Sequence, residues 1–552
     1  MKRLAALSLL LVVTRAVVPF AQTQAPARPA SADFVAPGPA VPLTAPLMAA
    51  IGGLRAVSLS AHIAFLASPS LEGRGLGGRG LDGAAEYVAA QLALAGVSPV
   101  SSPGTGNLSL PYFHPVPLRE ISGPSGQIII EARRGDTVDT RTFLGGVDVL
   151  FPELPPEGFS APVVFAGYGI REASPARDDY RDLDVKGKVV VLIAGLPPGR
   201  EWQRPELVAR YGSDGARQRF AARLQIADAL GARAVLAIEG PAFPSILSSG
   251  AGATAPVFFV SADDGGPEAP PVVRVSARVG DALLSVVGLT SASARTAQPR
   301  ALAGVTSTVR IGGDERLVMS RNVIGMIRGA DPAVRDEAIV IGAHMDHLGR
   351  SGETVYPGAD DNGSGVAALL DIARAFATSG HAPRRTVIFA FWTGEEEGKL
   401  GSGHYVRHPV WPLERTSVYL NLDMIGHPWT PEELKTLVSD THLEQGAEFL
   451  AAVKPADFIE LGVAAWAPDL APVLVQAARA TGLALHLDWT DGKNGGSDYR
   501  DFARHGRPWV RFFGNYFDGY HEPTDTVERL DAGQVLKMTR LALASAWLLA
   551  DR

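Results

Sequence analysis

The residues best suited to chemistry fall in three short clusters between Ile341 and Ser402. The clusters read H-M-D-H from His344, A-D-D-N-G-S-G from Ala359 and G-E-E-E-G-K from Gly394. They combine imidazoles with several carboxylates and contain no thiolate, which is the ligand set that suits zinc or a related divalent ion in a hydrolytic site. The sequence therefore predicts a divalent-metal site.

Each cluster also has a simpler explanation when it is taken alone. Either aspartate of the D-D pair could cap the helix that follows it, and His347 and His381 are interpreted as structural or surface residues. Glu395 and Glu396 are harder to explain, because two adjacent carboxylates after a buried strand are costly without cations. The five motifs are informative together, once Asp423 in V-Y-L-N-L-D and His521 in G-Y-H-E-P-T-D-T are added.

The elements that must position these residues are strands followed by helices. Apolar, β-branched runs at 337–344, 385–392, 417–426 and 507–514 predict buried strands, and 363–377 predicts a helix with one apolar face. This alternation predicts an α/β fold with a mostly parallel mixed sheet flanked by helices. Ligands of such sheets lie at the carboxyl ends of the strands, where the clusters occur.

The chain length and composition indicate several globular domains. A chain of 552 residues is too long for one ordinary core. Short β-type runs broken by Gly and Pro at 150–300 predict an inserted, non-catalytic α+β module, which leaves 51–149 and 301–552 for the site-bearing domain. The net charge of −7, from 51 basic and 58 acidic residues without a long run of one sign, argues against a nucleic-acid partner.

The N-terminus predicts export. Met1, Lys2 and Arg3 precede an apolar run from Leu4 to Val13, as in a secretory signal at 1–21 that is too short to span a bilayer. A Pro/Ala-rich linker is expected at 22–50. The chain has no cysteine, which excludes disulfides and thiolate zinc sites. We therefore expect a periplasmic or secreted protein without a stable membrane span after signal removal.

The ordered motifs resemble the co-catalytic di-zinc peptidases that include secreted bacterial aminopeptidases and glutamate carboxypeptidases. H-M-D, A-D-D-N-G-S-G, G-E-E-E-G-K-L-G-S, N-L-D-M-I-G, G-G-S-D-Y and Y-H-E-P-T-D-T carry the likeness. It implies a zinc exopeptidase fold and two divalent ions, which are expected to be Zn²⁺. One ion would be bound by His344, Asp361 and Asp423, and the other by Asp361, Glu396 and His521.

The resemblance also implies roles around the metals. Glu395 would be the general base and Asp346 would orient His344. Tyr520 is a candidate oxyanion donor because it adjoins His521 in the sequence, and a packed aromatic is the alternative. The region 150–300 resembles a protease-associated (PA) domain. The sequence departs from the common pattern at Glu397, Lys399 and Tyr499. These departures concern substrate preference and not the implied ligands.

The expected activity is that of an exopeptidase, with an aminopeptidase preferred. A hydroxide held between two ions would attack the peptide bond, and Glu395 would carry its proton. A carboxypeptidase or dipeptidase is the alternative and needs a cation for the terminal carboxylate; a solvated surface position is expected for the candidates Lys399, Lys493, Arg500 and Arg504. A receptor-like binding protein with a relic site is the non-enzymatic alternative. The sequence does not predict the oligomeric state.

Overall fold

The computed structural model describes residues 33–39, 41–99, 111–151, 158–211, 216–239, 257–260 and 270–552. The predicted signal at 1–21 and its cleavage site lie outside the described residues. The same holds for residues 22–32 and 40 of the predicted linker.

The site-bearing domain is built on a mixed sheet whose middle strands are parallel. Ala338–His344 lies between Thr386–Trp392 and Thr416–Leu422 and is parallel to both. Trp509–Phe512 then pairs parallel to Thr416–Leu422. All seven residues of Ala338–His344 are buried, as expected for a strand covered by helices on both faces.

The sheet extends beyond these strands on both sides. On one side, residues 323–327 pair antiparallel with Thr386–Trp392. On the other, Phe458–Ala464 is antiparallel to Trp509–Phe512 and parallel to Ala484–Thr490. The predicted mostly parallel mixed sheet is confirmed, whereas Phe458–Ala464 and Ala484–Thr490 were not among the predicted strands.

Helices cover this sheet and share one apolar core with it. Gly365–Thr378 and Ala532–Ala550 bury Leu369, Phe376 and Trp547 against each other and the sheet. The other helices of this domain are Ala45–Gly53, Ala56–Leu66, Arg79–Ala95, Leu400–Arg407, Pro431–Asp440, Gly446–Ala452, Ala471–Thr481 and Tyr499–Arg504.

Two long antiparallel strands carry the chain into a second unit. Phe113–Arg134 pairs with Arg300–Ile327 over most of its length. The further strands of four or more residues described in this unit are Thr137–Leu144, Phe159–Phe165, Val189–Ile193, Ala234–Ile238, Val257–Val260 and Val272–Val275, and its α-helices are Pro205–Tyr211, Ala216–Ala229 and Ala277–Leu284. Its separate apolar core includes Ile128 and Val309, so its packing extends beyond 150–300 on both sides.

The part of the predicted linker that is described contains regular structure. Phe34–Val35 pairs antiparallel with His486 and Leu485, because Phe34 finds aromatic neighbours in His486 and Phe449. Among the described residues no single helix is long and apolar enough to cross a bilayer. Within the part of the chain that the structure describes, one pair of helices, Ala45–Gly53 and Ala56–Leu66, reaches that length and hydropathy when taken together, with a 51° bend between them.

Candidate active site

The candidate residues come from one edge of the central sheet. His344 is the last residue of Ala338–His344, and Asp423 directly follows Thr416–Leu422. Glu395 and Glu396 lie in the turn after Thr386–Trp392. Because these three strands are adjacent and parallel, their carboxyl ends bring the side chains to the same place.

The first predicted ligand set is assembled. His344 Nε2 lies 3.4 Å from Asp361 Oδ1 and 3.4 Å from Asp423 Oδ1. Two ligand atoms that are each about 2.0–2.1 Å from a tetrahedral zinc ion lie about 3.3 Å apart. The His344 imidazole therefore lies from each of the two carboxylates at the spacing of two ligands on one zinc ion.

The second set uses the other oxygen of the same aspartate. His521 Nε2 lies 3.1 Å from Asp361 Oδ2 and 3.2 Å from Glu396 Oε2. The two oxygens of Asp361 thus face two different groups of potential ligands. His344, Asp361 and Glu396 also offer atoms that all lie within 4.8 Å of one another.

The electrostatics of these groups are those of a cation site. Burial alone would raise the pKa of Asp361, but hydrogen bonds from His344 and His521 hold it well below its usual range. Burial alone would lower the pKa of His521, yet Asp361 and Glu396 raise it to about 10. Protons on the imidazoles thus compensate the buried carboxylates, and a metal ion would displace those protons when it binds.

Asp361, and not Asp360, faces both groups of potential ligands. Asp360 turns away and accepts hydrogen bonds from Gly426 N–H and the His427 ring, at 2.8 and 2.6 Å. Asp525 in turn accepts the backbone N–H groups of Asp360 and Asp361. The D-D pair therefore divides into one residue that faces the site and one that anchors the loop, and the sequence did not indicate the part played by Asp525.

The Asp346 carboxylate does not form the expected hydrogen bond with the His344 ring. Its carboxylate is 3.9 Å from His344 Nδ1, which bonds instead to the Asp346 main-chain oxygen at 3.1 Å. The carboxylate accepts the N–H groups of Glu395 and Glu396, both at 3.1 Å. Asp346 therefore orients His344 through its backbone and holds the glutamate turn with its side chain.

His347 is part of the site, although its type and position predicted a structural or surface role. It is buried, and its Nδ1 lies 2.8 Å from Glu396 Oε1. His381 contacts Asp551 and stacks on Trp547, away from the site. The H-M-D-H spacing alone could have drawn attention to His347, since its backbone belongs to the same short loop as His344.

Arg74 supports both metal-ligand loops, and sequence reasoning missed it. Its guanidinium is fully buried and donates to the main-chain oxygens of Met345, Leu66, Pro357 and Gly358. Burial lowers the pKa of Arg74 to about 10, against the opposing effect of the nearby carboxylates. Since Met345 adjoins His344 and Gly358 precedes the D-D pair, one side chain joins the two loops.

The expected surface position of Lys399 is wrong. Lys399 is only 4% exposed and its Nζ lies 2.6 Å from Glu395 Oε1. Arg500 also bonds inward, to Gly398 O and Asp501. Neither cation is displayed in the way that binding a terminal carboxylate would require.

Tyr520 lies at the rim of the site. Its ring stacks on His521 with centroids 3.9 Å apart, and it is 38% exposed. Burial and the carboxylate of Asp361 raise its pKa, so the phenol keeps its proton and can act as a donor. Both the oxyanion-donor and the packing interpretation of Tyr520 are compatible with this position.

Comparisons with known proteins connect the site to a family. Residues 322–546 match the family described as Peptidase family M28. Over 302 residues the chain is 29% identical to a probable lipoprotein aminopeptidase, LpqL, of Mycobacterium tuberculosis, covering 53% of this chain and 46% of that protein. Over 262 residues it is 30% identical to the probable glutamate carboxypeptidase VP8 of Zea mays, covering 43% and 31%. The chain spans less than half the length of these two relatives.

Solved structures of two aminopeptidases align with most of the chain at low sequence identity. An aminopeptidase from Aneurinibacillus sp. strain AM-1 aligns over 91% of this chain and 95% of its own, with 19% identity and a TM-score of 0.45. The zinc aminopeptidase BSAP from Bacillus subtilis aligns over 90% and 96%, with 20% identity and a TM-score of 0.43. The match to Peptidase family M28 over residues 322–546 includes all five residues of the two proposed ligand sets.

Proposed function

We propose that this chain is a zinc-dependent exopeptidase that releases N-terminal residues from peptides. The observation that carries the proposal is the pair of ligand sets that share Asp361, with a buried glutamate beside them. The names of the relatives, which include aminopeptidases, support the same class of reaction.

His344, Asp361 and Asp423 would hold one ion, and Asp361, Glu396 and His521 would hold the second. Zinc bound there supplies a Lewis acid that makes water acidic and polarises the scissile carbonyl. The proposed number of two ions rests on the two oxygens of Asp361, each of which faces its own imidazole and carboxylate.

Glu395 is the proposed general base. It accepts a proton from the attacking water and later gives that proton to the leaving amine. Burial raises the pKa of Glu395 to about 7, while Lys399 opposes the rise, so the group can exchange a proton near neutral pH. Tyr520, at the rim, can donate its phenolic proton as a hydrogen bond to the developing oxyanion.

The terminus preference follows from the charges around the site. Asp361, Glu395 and Glu396 place several carboxylates at the site, which favours a substrate with a free α-amine over one that presents a terminal carboxylate. Lys399 and Arg500, two of the candidate carboxylate-binding groups, are already engaged. A relic binding site would not need both ligand sets, and the short distances within each set support an intact site.

Export to the periplasm or the exterior is part of the proposal and rests on the signal-like sequence at 1–21. The region 150–300 is proposed as a protease-associated module on the strength of its sequence resemblance. N-terminal sequencing of the protein recovered from culture medium and periplasm tests the export and the cleavage site.

The activity is tested with a peptide library digested by the purified protein and read by mass spectrometry, with and without chelator. We expect loss of N-terminal residues, dependence on about two divalent ions per chain measured by elemental analysis, and no release from N-acetylated peptides. Glu395→Gln should keep the ions and lose activity. A protein that binds no zinc at saturation would contradict the proposal, and equal cleavage of acetylated peptides would remove the aminopeptidase assignment.

A further inference from the structure

The contact that the proposed mechanism leaves unexplained is the ion pair between Lys399 and Glu395. The ammonium lies 2.6 Å from Oε1. Among the residues that the structure describes, Glu395 Oε1 has no hydrogen-bond partner. The contact with Lys399 is therefore an ion pair whose angles are not those of a hydrogen bond. Both residues are buried, at 4% and 6% exposure.

A buried ion pair seldom stabilises a protein, since desolvation of two charges offsets most of their attraction. Lys399 also occupies an unfavourable place in the backbone. Its φ of 67° lies in the left-handed region, which costs a residue with a side chain free energy. It directly precedes the helix Leu400–Arg407, whose amino end disfavours a cation. The desolvated ion pair, the positive φ and the position at a helix amino end each lower the stability of the folded protein. We therefore expect Lys399 to serve the function of the site and not its stability.

The surrounding contacts fix Lys399 firmly. Its backbone N–H donates to Glu395 O at 2.9 Å, so main chain and side chain both return to the same glutamate. Its carbonyl accepts Gly403 N–H at 2.9 Å and Ser402 Oγ at 3.3 Å. Arg500 holds Gly398 O in the same turn at 2.9 Å. These backbone hydrogen bonds therefore hold the Lys399 side chain in place beside Glu395.

We propose that Lys399 is a positioning residue that occupies Oε1 of Glu395 and so leaves Oε2 as the oxygen that exchanges protons with water and the leaving amine. The inference rests on the proposed role of Glu395 as the general base. A carboxylate in a buried site can rotate about its side-chain bonds, and misplacement of a reacting group by about 1 Å can cost about 100-fold in rate. Lys399 prevents that rotation without contacting a metal ligand through its ammonium.

The test compares Lys399→Met with Lys399→Arg in the zinc-loaded, full-length protein. Lys399→Met should lower kcat by about 10- to 100-fold, with KM changed less than threefold and the zinc content of the wild type. Lys399→Arg, which keeps a cation, should recover part of the lost kcat. Arg274→Met, which breaks a buried ion pair to Glu239 in the second unit, is the matched control and should leave kcat per folded molecule unchanged.

A second readout does not depend on activity. Urea midpoints of the zinc-free protein are measured for Lys399→Met, Glu395→Gln and the double variant. The double variant should be destabilised by less than the sum of the two single variants, because each single variant leaves one buried charge without its partner and the double variant leaves none.

The outcomes separate the two proposals. An inactive wild type overturns the proposed function and this inference with it. An active wild type whose Lys399→Met variant keeps the normal kcat, or additive urea midpoints, overturns the inference alone. A loss of zinc in Lys399→Met would also overturn it, since the lysine would then support the metal site and not the base.

Discussion

Buried carboxylates in the two units of this protein are compensated in different ways. In the second unit each has a side-chain cation: Glu239 pairs with Arg274 at 2.7 Å, and Asp179 with Arg177 at 2.8 Å. At the edge of the main sheet, the ion pairs found for Asp361, Glu396 and Asp423 among the described residues are with imidazoles alone. A buried carboxylate without Lys or Arg needs backbone N–H donors, as at Asp346 and Asp525, or another cation. The imidazole partners of the three carboxylates at the sheet edge therefore mark a candidate metal site.

The largest effect is expected for Asp361→Asn. The amide removes the charge that faces both ligand sets, so we expect loss of both ions and a fall in kcat/KM of more than about 1,000-fold, beyond the loss of a single oxyanion donor. Elemental analysis and peptide release measure the two effects. Glu239→Gln is the control from the other unit and should keep the ions. If Asp361→Asn bound as many ions as the wild type, the distinction between a metal-binding carboxylate and an Arg-paired carboxylate would be wrong.

The next effect is expected for Arg274→Met. Removing this cation leaves Glu239 buried without a partner, which should lower the free energy of unfolding by about 3–5 kcal/mol. The zinc content should not change. Urea unfolding monitored by circular dichroism measures it. Arg278→Met breaks the exposed side of the pair with Asp148, where Arg278 is 74% exposed, and should cost less than about 1 kcal/mol. Loss of zinc in Arg274→Met would show that the units are coupled.

The smallest effect concerns Asp371, a buried carboxylate of the main domain that does have side-chain partners. Burial alone would raise its pKa, but His62, Arg374 and Ser58 lower it. Because the folded pKa is depressed, the stabilisation is present above the unfolded pKa of about 3.9 and is lost as pH falls through the folded pKa. Asp371→Asn should therefore flatten the stability profile below about pH 4. An unchanged acid limb in thermal unfolding would contradict this.

Much of the fold was predictable because local sequence and buried structure agree. The apolar run at 385–392 became the strand Thr386–Trp392, and the patterned segment 363–377 became the helix Gly365–Thr378. The linker prediction was less successful at Phe34–Val35, because the aromatic partners of Phe34 are more than 400 residues away. Local composition carries no information about such contacts.

The sequence by itself determined which residues can act as ligands and in which order they occur. Imidazoles and carboxylates placed after buried strands must meet at one sheet edge, and this argument names His344, the pair Glu395 and Glu396, and Asp423 without coordinates. The sequence also predicted that one member of the D-D pair bridges, and the resemblance pointed to Asp361.

Only the tertiary structure decided how the site is held. Arg74 reaches Met345 across 271 positions of the chain, and Asp525 reaches Asp361 across 164. Lys399 looks like a surface lysine in the sequence, yet the fold buries it against Glu395. A side chain's type states which bonds it can form, but burial and distance select its partner, and both are properties of the packed chain.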